Sequence, residues 1–131
     1  MDTRITSLLP KLEKAFSEFE EVVAVYIYGS RARGNARTSS DWDFAIFLEK
    51  PFADPYDLVR LQERIEGIVG GKVDLLVLNS ARVALAFKAI KEGVLVYGKN
   101  PDFRSDFEVM IMKKYFDVKQ LIEEKWRKPL G

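Results

Sequence analysis

An α/β architecture closed by a long C-terminal helix is the fold class this sequence predicts, and three observations carry it. Short runs rich in Val, Ile, Leu and Phe at residues 22–28, 42–48 and 72–78 read as strands. Between them lie segments whose apolar residues recur every three or four positions, the period of a helix buried on one face. Gly29, Gly70, Gly71 and Gly93 stand where one pattern gives way to the next.

Residues 7–19 place Leu8, Leu12, Ala15, Phe16 and Phe19 at helical spacing, with Pro10 expected in the first turn, where a missing N–H is tolerated. Residues 22–28 are uncharged, the pattern of a strand buried on both faces, and Gly29 ends it. Residues 30–35 predict a turn leading into a short helical stretch, 36–40 a small polar loop, and 42–48 the second strand. Asp54 and Pro55 supply an N-cap and a first-turn proline for a helix carrying Leu58, Leu61, Ile65 and Ile68 as far as Gly70-Gly71. After the third strand, Asn79 or Ser80 is expected to cap a helix with Val83, Ala86, Phe87 and Ile90 that stops at Gly93. Residues 94–97 suit a short edge strand. Residues 101–127 form the long helix, with Phe107, Met110, Ile111, Tyr115, Val118, Leu121 and Ile122 along one stripe. Met112, Phe116 and Trp126 add more apolar surface than one face can bury, which predicts a partner surface there, an oligomer contact included.

The 131 residues and 47% hydrophobic content suit a single domain over 1–131 with one packed core. Lys and Arg number 21 against 20 Asp and Glu, so there is no bulk charge to hold a nucleic acid backbone, and direct nucleic acid binding is not expected. No stretch reaches the length of a membrane span and the N-terminus lacks a signal peptide's apolar core, so the expected location is cytoplasmic. The chain has neither Cys nor His. That excludes thiolate nucleophiles, disulfides, His general bases and the common zinc sites, and leaves carboxylates and a hard metal to carry any catalysis.

The carboxylates that could do so are Asp41, Asp43 and Asp74. Alternation along a strand sends Asp41 and Asp43 to one side while Trp42 and Phe44 turn to the other and pack. Asp74 stands between Val73 and Leu75 in an apolar run, where an unpaired carboxylate would be costly. Three carboxylates within about 5 Å would repel by roughly 3 kcal/mol per pair at an effective dielectric of 20. A divalent cation resolves that conflict, and oxygen-only ligands favour Mg²⁺ or Mn²⁺, which share their coordination with substrate phosphates. Gly29 and Ser30, at the end of a buried strand, can hold phosphate oxygens through backbone N–H groups and a hydroxyl. The segment lacks the ending of a P-loop and is not the glycine fingerprint of a dinucleotide fold. Arg31 or Arg33 could neutralise phosphate charge or could be solvated or locally paired.

Gly29-Ser30, then Asp41-Trp42-Asp43, then Asp74, with Ala32-Arg33-Gly34 and Ser40-Asp41 between, resembles the minimal nucleotidyltransferases, the small MNT branch of the DNA polymerase beta-like superfamily. The resemblance implies a mixed sheet flanked by helices, and transfer of a nucleoside monophosphate from ATP or another nucleoside triphosphate to a hydroxyl with release of pyrophosphate. It implies that Asp41 and Asp43 hold two Mg²⁺ ions, that Gly29 and Ser30 hold the terminal phosphates with Arg33 as a further nucleotide contact, and that Asp74 binds the metal beside the acceptor. Small family members pair as antitoxins with helical HEPN toxins, so the resemblance further implies transfer of AMP to a toxin tyrosine. Two other readings remain open at this point: an antitoxin that masks a helical partner without catalysis, and transfer to a small molecule such as an aminoglycoside. The second suffers from the shortage of residues for an acceptor domain.

Overall fold

The computed structural model describes residues 2–37 and 40–127. In chain order these form α1 (Arg4–Ser17), β1 (Val22–Tyr28), α2 (Ser30–Arg33), β2 (Trp42–Leu48), α3 (Asp57–Val69), β3 (Val73–Val77), a single 3₁₀ turn (Leu78–Ser80), α4 (Val83–Glu92), β4 (Val94–Gly98) and α5 (Pro101–Trp126). Among the described residues the strands make one mixed sheet in the order β3-β2-β1-β4. β1 runs antiparallel to β2 and β4, whereas β2 and β3 are parallel and joined across α3, the kind of crossover that parallel pairing requires.

Position in the sheet explains the sequence patterns. β1 has a strand on either side and helices over both faces, so all seven of its residues are buried and the uncharged run follows. One face carries Val25, Ile27, Phe44 and Ile46 against Leu12 and Phe16 of α1 and Leu61 and Ile65 of α3. The other carries Ala24, Tyr26, Ala45 and Phe47 against Ala86 and Ala89 of α4 and Phe107 and Ile111 of α5. Each large side chain so buried contributes about 1.5–3 kcal/mol. β4 is an edge strand, as expected.

Several boundaries differ from the sequence expectation, each for a local reason. α1 begins at Arg4, because the Asp2 carboxylate accepts the Arg4 backbone N–H at 2.9 Å; Pro10 therefore lies inside the helix, on its exposed side. α3 begins at Asp57. Asp54 organises the preceding turn instead, accepting the Tyr56 N–H at 3.0 Å and pairing with Arg60 at 2.8 Å, and Gly70 closes the helix in the left-handed region at φ 72°. Neither Asn79 nor Ser80 caps α4, whose flanking residue is Arg82. The Asn79 side chain accepts the Leu48 N–H at 2.9 Å and donates to the Leu48 carbonyl at 2.8 Å, prolonging the β2–β3 pairing past the end of β3. Of the polar loop 36–40, Thr38 and Ser39 lie outside the described residues. α5 buries only Phe107 and Ile111, and leaves Phe116, Leu121, Ile122 and Trp126 more than half exposed. Among the described residues no helix is long and apolar enough to cross a membrane.

Candidate active site

The Gly-Ser turn and the Asp-x-Asp strand meet at a single contact. Gly29 leaves β1 at φ 73° and ψ −151°, a conformation restricted almost entirely to glycine, and a Cβ built there would stand 2.5 Å from Asp43 Oδ2. The absence of a side chain at 29 is thus what lets the Asp43 carboxylate lie against the turn. Sheet register does the rest. Tyr28 of β1 is opposite Asp43 of β2, and Asp43 is opposite Asp74 of β3, so the three side chains form a row across adjacent strands on one face. Asp41 lies two residues before Asp43 and projects to the same side, while Trp42 and Phe44 are buried in the opposite layer, as alternation predicts.

Burial raises the Asp43 carboxyl above the usual carboxylate range, and the charges of Asp74 and then Asp41 raise it further, against the opposing pull of Arg33 and Lys88. The neighbouring Tyr28 phenol is pushed up to about 12, by burial first and then by Asp43 and Asp74. Both shifts report one concentration of negative potential at this end of the sheet.

Asp74 corrects part of the sequence reading. It is exposed rather than buried, because β3 is an edge strand and Gly71 and Lys72, which lead into it, are exposed as well. Solvent, and not a basic partner, makes its charge tolerable. Nor do any three acids among the described residues form a complete cation cage. The donors nonetheless suit Mg²⁺ or Mn²⁺: they are hard oxygens in a negative field, and such ions commonly take one or two carboxylates and complete their shell with water and substrate phosphates.

The two arginines of the turn separate. Arg31 is 3% exposed; its Nη1 donates to Asp2 Oδ2 at 2.9 Å, its Nη2 donates to the Ser40 carbonyl at 2.7 Å, and its guanidinium lies 4.3 Å from the centre of the Trp42 ring. Burial raises the Asp2 carboxyl, but hydrogen bonds from Arg31 and the Arg4 backbone outweigh it and hold the group below its ordinary value. Arg31 is therefore a brace for the residue that precedes Asp41. Arg33 is 47% exposed and stands 3.9 Å from Glu92 of α4. Ser30 opens α2 half-exposed beside Gly29. Lys88 of α4, the second cation felt by Asp43, escaped the sequence reading: nothing local marks it, since the path of α4 over the sheet is set by tertiary packing of Ala86 and Ala89.

A phosphate-sized turn against Asp43, with Asp74 next to it on the neighbouring strand, defines the class, and comparison with known proteins gives the family. The model of the polymerase beta nucleotidyltransferase family matches residues 10–102, which include Gly29, Ser30 and all three acids. The chain belongs to that family and is a nucleotidyltransferase. It is 27% identical over 112 residues to the protein adenylyltransferase MntA of Aphanizomenon flos-aquae, covering 76% of this chain and 72% of that one. It is 29% identical over 92 residues to the protein adenylyltransferase MntA of Thermococcus cleftensis, covering 70% and 92%. Among solved structures, a chain of the tri-AMPylated Shewanella oneidensis HEPN toxin in complex with MNT antitoxin superposes with a TM-score of 0.71 at 20% identity, over 92% of this chain and 93% of that one. A chain of a toxin–antitoxin crystal structure with AMP-PNP gives 0.72 at 22% identity, over 91% and 92%. At such identities these likenesses speak for the fold, a mixed sheet flanked by helices with a long terminal helix.

Proposed function

We propose that this chain moves AMP from ATP to a hydroxyl, that the acceptor is a tyrosine of a helical HEPN toxin, and that the transfer neutralises the toxin. The observation that carries the reading is the Gly29–Asp43 contact beside the Asp43–Asp74 register pair, because it sets a phosphate-binding turn against carboxylates on adjacent strands. The relatives' description as protein adenylyltransferases and the HEPN toxin complex among the structural neighbours support a protein acceptor of the HEPN class.

In this reading the Gly29 backbone and the Ser30 hydroxyl hold the terminal phosphates, with Arg33 at their flank. Asp41 and Asp43 are the residues that would hold Mg²⁺, with Asp74 at the second position; bound there, the cations supply charge neutralisation at the transferring phosphoryl group. Asp74, exposed on the edge strand, lies where an incoming side chain can approach and helps remove the acceptor hydroxyl's proton. The acceptor oxygen forms a bond to the α-phosphorus, the bond from that phosphorus to the β-phosphate's bridging oxygen breaks, and pyrophosphate leaves. Arg31 takes no part in phosphate binding. It fixes the Ser40 carbonyl, and so the approach to Asp41. The exposed distal half of α5 offers an apolar surface to the toxin.

The test is incubation of the chain with Mg²⁺, labelled ATP and a HEPN-type helical toxin. Label is expected on a tyrosine of that protein. The double variant D41N/D43N is expected to keep the complex and to lose transfer by at least about 100-fold. Neutralisation that survives in the double variant would establish masking in place of catalysis, and label on a small hydroxyl compound with none on protein would redirect the acceptor.

A further inference from the structure

We propose that Lys88 is a phosphate-binding residue of the nucleotide site, meeting the β- and γ-phosphates from the α4 side. This rests on the nucleotidyl-transfer reading above. A triphosphate brought to three carboxylates needs cations, and of the two arginines of the turn only Arg33 is left for it. Arg31 is buried against Asp2, Ser40 and Trp42, and Arg33 has Glu92 as its neighbour.

Helix geometry places Lys88 at the same mouth. α4 is laid on the sheet by Ala86 and Ala89, which pack in the layer that also holds Tyr26 and Tyr28. Glu92, on that helix, reaches Arg33 of α2. Lys88 precedes Glu92 by one turn on the same helical face, which puts it on the side of α4 that meets Arg33 and the short helix of the turn. Its side chain is exposed and, among the described residues, makes no hydrogen bond or close ion pair, so it is available to a ligand. A flexible ammonium is suited to terminal phosphates, whose positions shift as pyrophosphate departs, whereas a fixed guanidinium fork suits a static anion.

The experiment is calorimetric titration of wild type, K88M and K88R, in Mg²⁺ buffer, with a nonhydrolysable ATP analogue and separately with AMP. K88M is expected to weaken the ATP analogue roughly tenfold while AMP affinity stays within about twofold, and K88R to recover only part of the loss. An ATP-analogue affinity unchanged in K88M, or an equal loss for AMP, would overturn the assignment. A wild type that transfers AMP while K88M matches it in analogue binding sinks Lys88 alone. A wild type that neither binds nucleotide nor transfers AMP sinks the functional reading, and this inference with it.

Discussion

Gly29 carries two constraints that no other residue type satisfies together: a backbone at φ 73° and the close approach of Asp43 Oδ2. G29A is therefore expected to cost about 1–3 kcal/mol of stability from backbone strain. It should also displace the Asp43 carboxylate, so that the proposed nucleotide binding in Mg²⁺ buffer falls even at temperatures where the chain stays folded; chemical denaturation and calorimetry measure the two effects separately. At this scale the sequence was only partly legible. Strand alternation made Asp41 and Asp43 visible as a pair, since it depends on nothing beyond neighbouring residues. The separate fates of Arg31 and Arg33 were hidden, because Asp2, which claims Arg31, lies on the far side of α1 and β1 in the chain.

Among the elements, the helices and strands followed from periodicity and glycine placement, while their ends were moved by side chains with unforeseen duties: Asp2 at the start of α1, Asp54 in the turn before α3, and Asn79 against the end of β2. Exposure of Asp74 could not be read because strand order is not written in a strand's own residues; a run of Val and Leu looks alike at the centre and at the edge of a sheet. α5 is the element whose pattern exceeds its buried contacts. Substituting Leu121 and Trp126, 65% and 76% exposed, by Ala is expected to leave folding stability nearly unchanged, within about 0.5 kcal/mol. The same variant should weaken capture of the helical partner by tenfold or more on the scale of interface anchors, measured by surface plasmon resonance.

For the molecule as a whole, the site is a stability defect. The Asp43 carboxyl titrates above its unfolded value near 3.8, by burial and then by the charges of Asp74 and Asp41. The folded chain thus holds this proton more tightly than the unfolded one, so the residue's contribution to stability is intact below that value and is lost as pH rises through the raised one. D43N is accordingly expected to be more stable than wild type at pH 7, by a margin that solvent screening keeps small. The advantage should shrink toward zero below pH 4, as thermal melts across pH would show. The parallel pairing of β2 and β3 has one further consequence, for the order in which activity is acquired. Asp43 and Asp74 become neighbours only after the whole β2–α3–β3 excursion has closed, a long-range event that contributes to slow folding. A nascent chain that has released β1 and β2 from the ribosome carries the turn and the first two acids but not the third, so under the role proposed for Asp74 nucleotide chemistry would wait until the crossover docks.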